Sequence, residues 1–116
     1  MMHQGSCHCG AVRFHVDLDL AQPAITCNCS MCRRSGAMLM FVTPDLFTLE
    51  QGEDSLTTYK FNKNVIAHLF CKVCGVRPFA RGKNQKGEPM IAVNVRTLDD
   101  VDVFQQPVKQ VDGERF

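Results

Sequence analysis

Cys27-Asn28-Cys29-Ser30-Met31-Cys32 places three thiols within six residues, spaced C-x-C-x-x-C, and runs straight into Arg33-Arg34-Ser35-Gly36. Two further pairs flank this stretch, Cys7/Cys9 as C-x-C and Cys71/Cys74 as C-x-x-C. Seven cysteines leave one thiol over in any intrachain disulfide scheme. An extended C-x-C also holds its Cα atoms near the upper limit for a bridge. The clustering points to metal ligation rather than to disulfides or scattered buried thiols.

Zinc bonds thiolate at roughly 2.3 Å and prefers a tetrahedron, so the sulfurs of one site must converge. The two outer pairs make one complete quartet, Cys7, Cys9, Cys71 and Cys74. The inner trio, Cys27, Cys29 and Cys32, then holds a second zinc with one position open. A partition in which the trio borrows one outer thiol stays open as well. A four-thiolate site is saturated and structural, whereas a three-thiolate site accepts water or a visiting ligand. Three anionic sulfurs weaken the ion as an activator of water, and no Glu or His base lies near in sequence, so an external thiol suits the vacancy better. Arg33 and Arg34 are candidate contacts for the carboxylates of an anionic thiol such as glutathione. His8 reads as solvent-facing and His68 as a packed strand residue.

At 116 residues, with 45% hydrophobic and 22% charged residues, the chain has the length and composition of one globular domain, residues 1–116. No apolar run approaches the roughly 20 residues that cross a bilayer, which argues against a membrane partner. Met1-Met2-His3-Gln4-Gly5 carries neither the basic nor the apolar region of a secretory signal, so the expected location is cytoplasmic. Net charge is +1 and Arg33-Arg34 is the one adjacent basic pair, which argues against nucleic acid. A homo-oligomer is compatible with the sequence.

Apolar–polar alternation predicts a strand over Val12–Val16, with Cys7 and Cys9 in extended backbone just before it and their sulfurs on one face. Pro23–Thr26 reads as a strand delivering Cys27. Ser30 reads as the N-cap of a short helix, Met31–Ser35, ended by Gly36 in the left-handed conformation. The continuous apolar run Ala37–Val42 predicts a strand buried on both faces. Further strands are expected at Phe47–Leu49, Leu56–Phe61, Val65–Phe70, Arg77–Arg81 (an edge strand because of Pro78) and Met90–Val95. Gly82–Glu88 reads as loop, and the segment from Thr97 as turns leading into a tail. Cys71-Lys72-Val73-Cys74-Gly75 has the form of a zinc knuckle, its glycine permitting the tight turn. The expected class is mainly β, antiparallel, with few short helices.

The ordered motifs Cys7-His8-Cys9-Gly10-Ala11-Val12, Cys27-Asn28-Cys29-Ser30-Met31-Cys32 and Cys71-Lys72-Val73-Cys74-Gly75-Val76, with Asn94-Val95-Arg96-Thr97-Leu98-Asp99 and Val111-Asp112-Gly113, resemble the glutathione-dependent formaldehyde-activating enzyme family. Proteins related to centromere protein V belong to the same family. The resemblance covers nearly the whole chain and implies a β-tent zinc-binding fold with two zincs per chain. It implies Cys7, Cys9, Cys71 and Cys74 as structural ligands and Cys27, Cys29 and Cys32 as catalytic ones. The implied reaction joins glutathione to formaldehyde as S-hydroxymethylglutathione and is classed as a carbon–sulfur lyase. A non-catalytic zinc-stabilised binding module, with a protein or nucleic-acid partner, is the competing reading.

Overall fold

The computed structural model describes residues 1–60 and 66–112. Ten strands occur there in chain order: β1 (Met2–Ser6), β2 (Arg13–Asp17), β3 (Ala24–Cys27), β4 (Leu39–Val42), β5 (Phe47–Gln51), β6 (Leu56–Tyr59), β7 (Ala67–Cys71), β8 (Phe79–Lys83), β9 (Pro89–Asn94) and β10 (Val108–Val111). One α-helix, α1 (Ser30–Ser35), joins β3 to β4. Single 3₁₀ turns follow β4, β5 and β9.

The strands form a three-stranded sheet, β1-β2-β5, and a seven-stranded sheet, β10-β3-β4-β9-β8-β7-β6. Every pairing between strands is antiparallel except that of β10 with β3. The mainly antiparallel β class read from the sequence is the class observed.

Period-two alternation divides the large sheet into two faces. Met40, Val42, Leu69, Phe79, Ile91 and Val93 turn toward Phe14 and Val16 of the small sheet and form the main core. At its centre the Phe79 ring lies 4.6 Å from that of Phe47 and 6.3 Å from that of Phe14, centroid to centroid. The opposite face carries a smaller cluster, Ala37, Leu39, Ala80 and Ala92, against which Cys32 of α1 packs. Three of those four residues are alanines, so the short helix can approach the sheet closely. Along this face the register sets Tyr59 beside His68, His68 beside Ala80, and Ala80 beside Ala92.

Several expectations are corrected. Cys7 and Cys9 do not lie in extended backbone: β1 ends at Ser6, and the chain turns through His8 and Cys9, with the Gly10 amide donating to the Cys7 carbonyl at 3.2 Å. A turn brings both sulfurs together as a strand face would, while letting β2 reverse against β1. The strand at Ala37–Val42 starts only at Leu39, and Phe41 is 51% exposed, so β4 is not buried on both faces. β8 is internal, between β7 and β9. Pro78 precedes that strand and is fully buried, so its missing N–H costs the ladder nothing. Gly82 and Lys83 belong to β8 rather than to a loop. The tail includes β10, whose Val111 stands opposite Cys27. The expected strand ends at Phe61 and Val65, and the motif residue Gly113, lie outside the described residues.

Candidate metal centres

Two sets of thiols come together, and they are the sets expected. The Sγ atoms of Cys7, Cys9, Cys71 and Cys74 lie within 4.8 Å of one another, as do those of Cys27, Cys29 and Cys32. The partition in which an outer thiol completes the inner set is not the arrangement found. All seven cysteines are free thiols.

The outer quartet joins the turn after β1 to the knuckle after β7. Cys9 Sγ is 3.6 Å from Cys7 Sγ and 3.6 Å from Cys71 Sγ. A tetrahedral ion with 2.3 Å bonds to sulfur requires about 3.8 Å between ligands, so these donors fit zinc as they stand. Cys7 and Cys71 are buried against Val12, with Leu49, Leu56 and Val76 around them. Main-chain amides point at the sulfurs: Val12 donates to Cys7 Sγ at 3.3 Å. The Val76 and Cys9 amides hold the Cys74 thiol down at about 6, and the Cys74 and Val73 amides lower Cys71. The Ala11 amide favours the Cys9 thiolate too, but lost solvation and the sulfurs of Cys7, Cys71 and Cys74 outweigh it and push that thiol up to about 11. Four thiols this close cannot all ionise alone, and a divalent cation removes the conflict. Gly75 takes φ of 81° in the knuckle, where a side chain would be strained. His8 is exposed, as expected.

The inner trio sits at the start of α1. The cap is Cys29 rather than Ser30: its Sγ accepts the Cys32 amide at 3.3 Å, and Cys27 Sγ accepts the Cys29 amide at 3.4 Å. Gly36 ends the helix at φ of 69°, as the sequence predicts. Desolvation opposes ionisation of Cys29, but the amides and its fellow thiols outweigh it and bring that thiol below its ordinary value. Cys32 is pushed up to about 12 by desolvation and by Cys29 and Cys27. The described residues offer the trio no fourth Cys, His, Asp or Glu ligand. Three sulfurs can hold a zinc ion here and leave one side of it for something else.

Four arginines lie on α1 or bond to its C-terminal end. Arg33 and Arg34 are exposed on the last turn of α1, and Arg34 Nη1 donates to the Ser30 carbonyl at 3.0 Å. Arg96 Nε donates to the Gly36 carbonyl at 3.1 Å, and Arg77 Nη1 to Ser35 Oγ at 3.4 Å. Asn94 fastens the group from β9: its Oδ1 accepts the Met38 and Arg96 amides, and its Nδ2 donates to the Arg77 carbonyl at 3.0 Å. Sequence reasoning missed Arg77, which it read as an ordinary strand residue. Arg96 was legible only as part of the motif beginning at Asn94. Buried His68 is held down at about 4 by desolvation, with the Arg77 charge adding, and is neutral at pH 7.

The family model for glutathione-dependent formaldehyde-activating enzymes matches residues 2–112. This chain belongs to that family. A Halomonas elongata protein with the provisional name of glutathione-dependent formaldehyde-activating enzyme is 51% identical over 35 residues, 30% of this chain and 22% of that protein. The aligned stretch thus spans about a fifth of the relative's length. A crystal structure of a Rhodobacter sphaeroides protein superposes with a TM-score of 0.81 at 31% identity, covering 93% of this chain and 99% of that one. No described helix is long and apolar enough to cross a membrane.

Proposed function

We propose that this protein is a zinc-dependent enzyme of the carbon–sulfur lyase type that joins a small thiol to an aldehyde, with glutathione and formaldehyde as the pair its family suggests. The observation that carries the reading is the unequal division of sulfur: a closed quartet and an open trio on separate parts of one fold. In this reading Cys7, Cys9, Cys71 and Cys74 hold a structural zinc, and Cys27, Cys29 and Cys32 hold a catalytic one. The second ion, when bound, supplies a position where a visiting thiol is kept as thiolate at neutral pH.

The chain's own residues supply the rest. In the addition, the thiol gives up its proton to solvent on ionising, its sulfur forms a bond to the carbonyl carbon, the carbonyl π pair moves to oxygen, and that oxygen takes a proton back from water. Arg33, Arg34 and Arg96 give the rim of the site positive charge, suited to the carboxylates of glutathione. The buried alanine-rich face beside Cys32 gives that sulfur an apolar backing on the sheet side of the trio. Residues 1–116 act as one domain in this account, and the architecture supports the β-tent name. A cytoplasmic location, where glutathione keeps thiols reduced, goes with the same reading.

The test is turnover by the zinc-loaded protein. NMR exchange between glutathione and S-hydroxymethylglutathione should exceed the spontaneous rate, and calorimetry should detect glutathione at millimolar concentration. Absence of both would overturn the substrate assignment.

A further inference from the structure

We infer that Arg77 is a positioning residue for the inner trio, holding Cys32 by charge where main-chain amides hold the other two sulfurs. The inference rests on the metal-binding reading of Cys27, Cys29 and Cys32 given above. Cys27 and Cys29 each accept a backbone amide, from Cys29 and Cys32 respectively. Among the described residues no backbone amide donates to Cys32 Sγ, and Cys32 packs against the apolar cluster on the sheet. A metal-bound thiolate there needs another source of positive potential, and the Arg77 guanidinium is brought to that part of the site through Ser35, one turn along α1 from Cys32.

Arg77 is placed oddly for any other purpose. It is only 6% exposed, and its Nε has no hydrogen-bond partner. No carboxylate pairs with it among the described residues. A buried guanidinium without a counter-ion is costly, and it persists in folds that supply an anion. Three thiolates around a divalent cation carry one net negative charge, and one guanidinium balances it. Two anchors keep the side chain on target: Ser35 Oγ accepts from its Nη1, and Asn94 Nδ2 holds its carbonyl. Ser35 lies on the same helix as Cys32, so the guanidinium is tied to the element it neutralises.

The experiment compares wild type with Arg77→Met and Arg77→Lys, each loaded with zinc and kept free of glutathione. Metal content is measured per chain, and release to a colorimetric chelator is followed in time. Wild type should show two ions, leaving in two kinetic phases. Arg77→Met should lose the inner ion or release it about tenfold faster or more, with the outer phase and the melting transition unchanged. Arg77→Lys, which keeps a charge without the fork, should fall between the two. An Arg77→Met protein that retains both ions with wild-type kinetics overturns the inference alone. A wild type that binds no inner ion overturns it together with the reading beneath it. If Arg77→Met does not fold, Ser35→Ala decides: it removes only an exposed hydroxyl, and wild-type release of the inner ion there would overturn the proposal. Failure of glutathione turnover leaves these readouts untouched, so the two claims fail separately.

Discussion

The Cys32 amide donates to Cys29 Sγ at 3.3 Å, so one sulfur both caps α1 and faces the inner metal position. Serine is among the best N-caps and a poor zinc ligand at neutral pH. Cys29→Ser should therefore keep the helix and lose the inner ion. Cys29→Ala should lose both, at a further cost of about 1 kcal/mol. Chemical denaturation and metal analysis on the pair separate the two roles; equal stability of the two variants would mean that the cap carries no weight.

Cys71 is 1% exposed and links β7 to the turn that carries Cys7 and Cys9. Structural zinc contributes roughly 10–16 kcal/mol in small metal-folded peptides, as much as the whole stability of an ordinary domain. Cys71→Ser should abolish cooperative unfolding. A native-like melting transition in that variant would refute the structural assignment of the quartet.

Phe79 joins the two sheets through its contacts with Phe47 and Phe14. Phe79→Ala should destabilise the fold by about 3–5 kcal/mol, read from the denaturant midpoint. A loss below about 1 kcal/mol would show that the sheets do not share this core.

His68 gives a pH dependence with a definite sign. Its folded value of about 4 lies below the ordinary 6.5, because burial and then Arg77 disfavour the charged form. The unfolded chain binds the proton first, so this contribution is complete above pH 6.5 and is lost as pH falls toward 4. The loss should be on the order of 2 kcal/mol in denaturation curves across that window. His68→Gln should flatten that part of the profile, and an unchanged profile would contradict the assignment.

The thiol groupings were legible because each half of a metal site is local: C-x-C and C-x-x-C are fixed by a few bonds. The strand leading to Cys27 and the helix ended by Gly36 were legible for the same reason. β1 was not, because its inward positions are His3 and Gly5, which give no apolar alternation. β10 was hidden because three of its four residues are exposed, and it is held by backbone pairing with β3. Cys29 escaped notice as a cap because an adjacent serine is the stronger cap by type. Arg77 read as an ordinary strand residue; only the folded arrangement ties it to the helix that carries Cys32.

The central claim is that the two sulfur sets hold metal independently and for different ends. Elemental analysis of wild type and Cys32→Ser, each monitored for folding by circular dichroism, tests it most directly. The account predicts two zinc ions per chain in wild type and one in a Cys32→Ser protein that still melts cooperatively. A single ion in wild type, or a Cys32→Ser protein that loses both ions and unfolds, would contradict it.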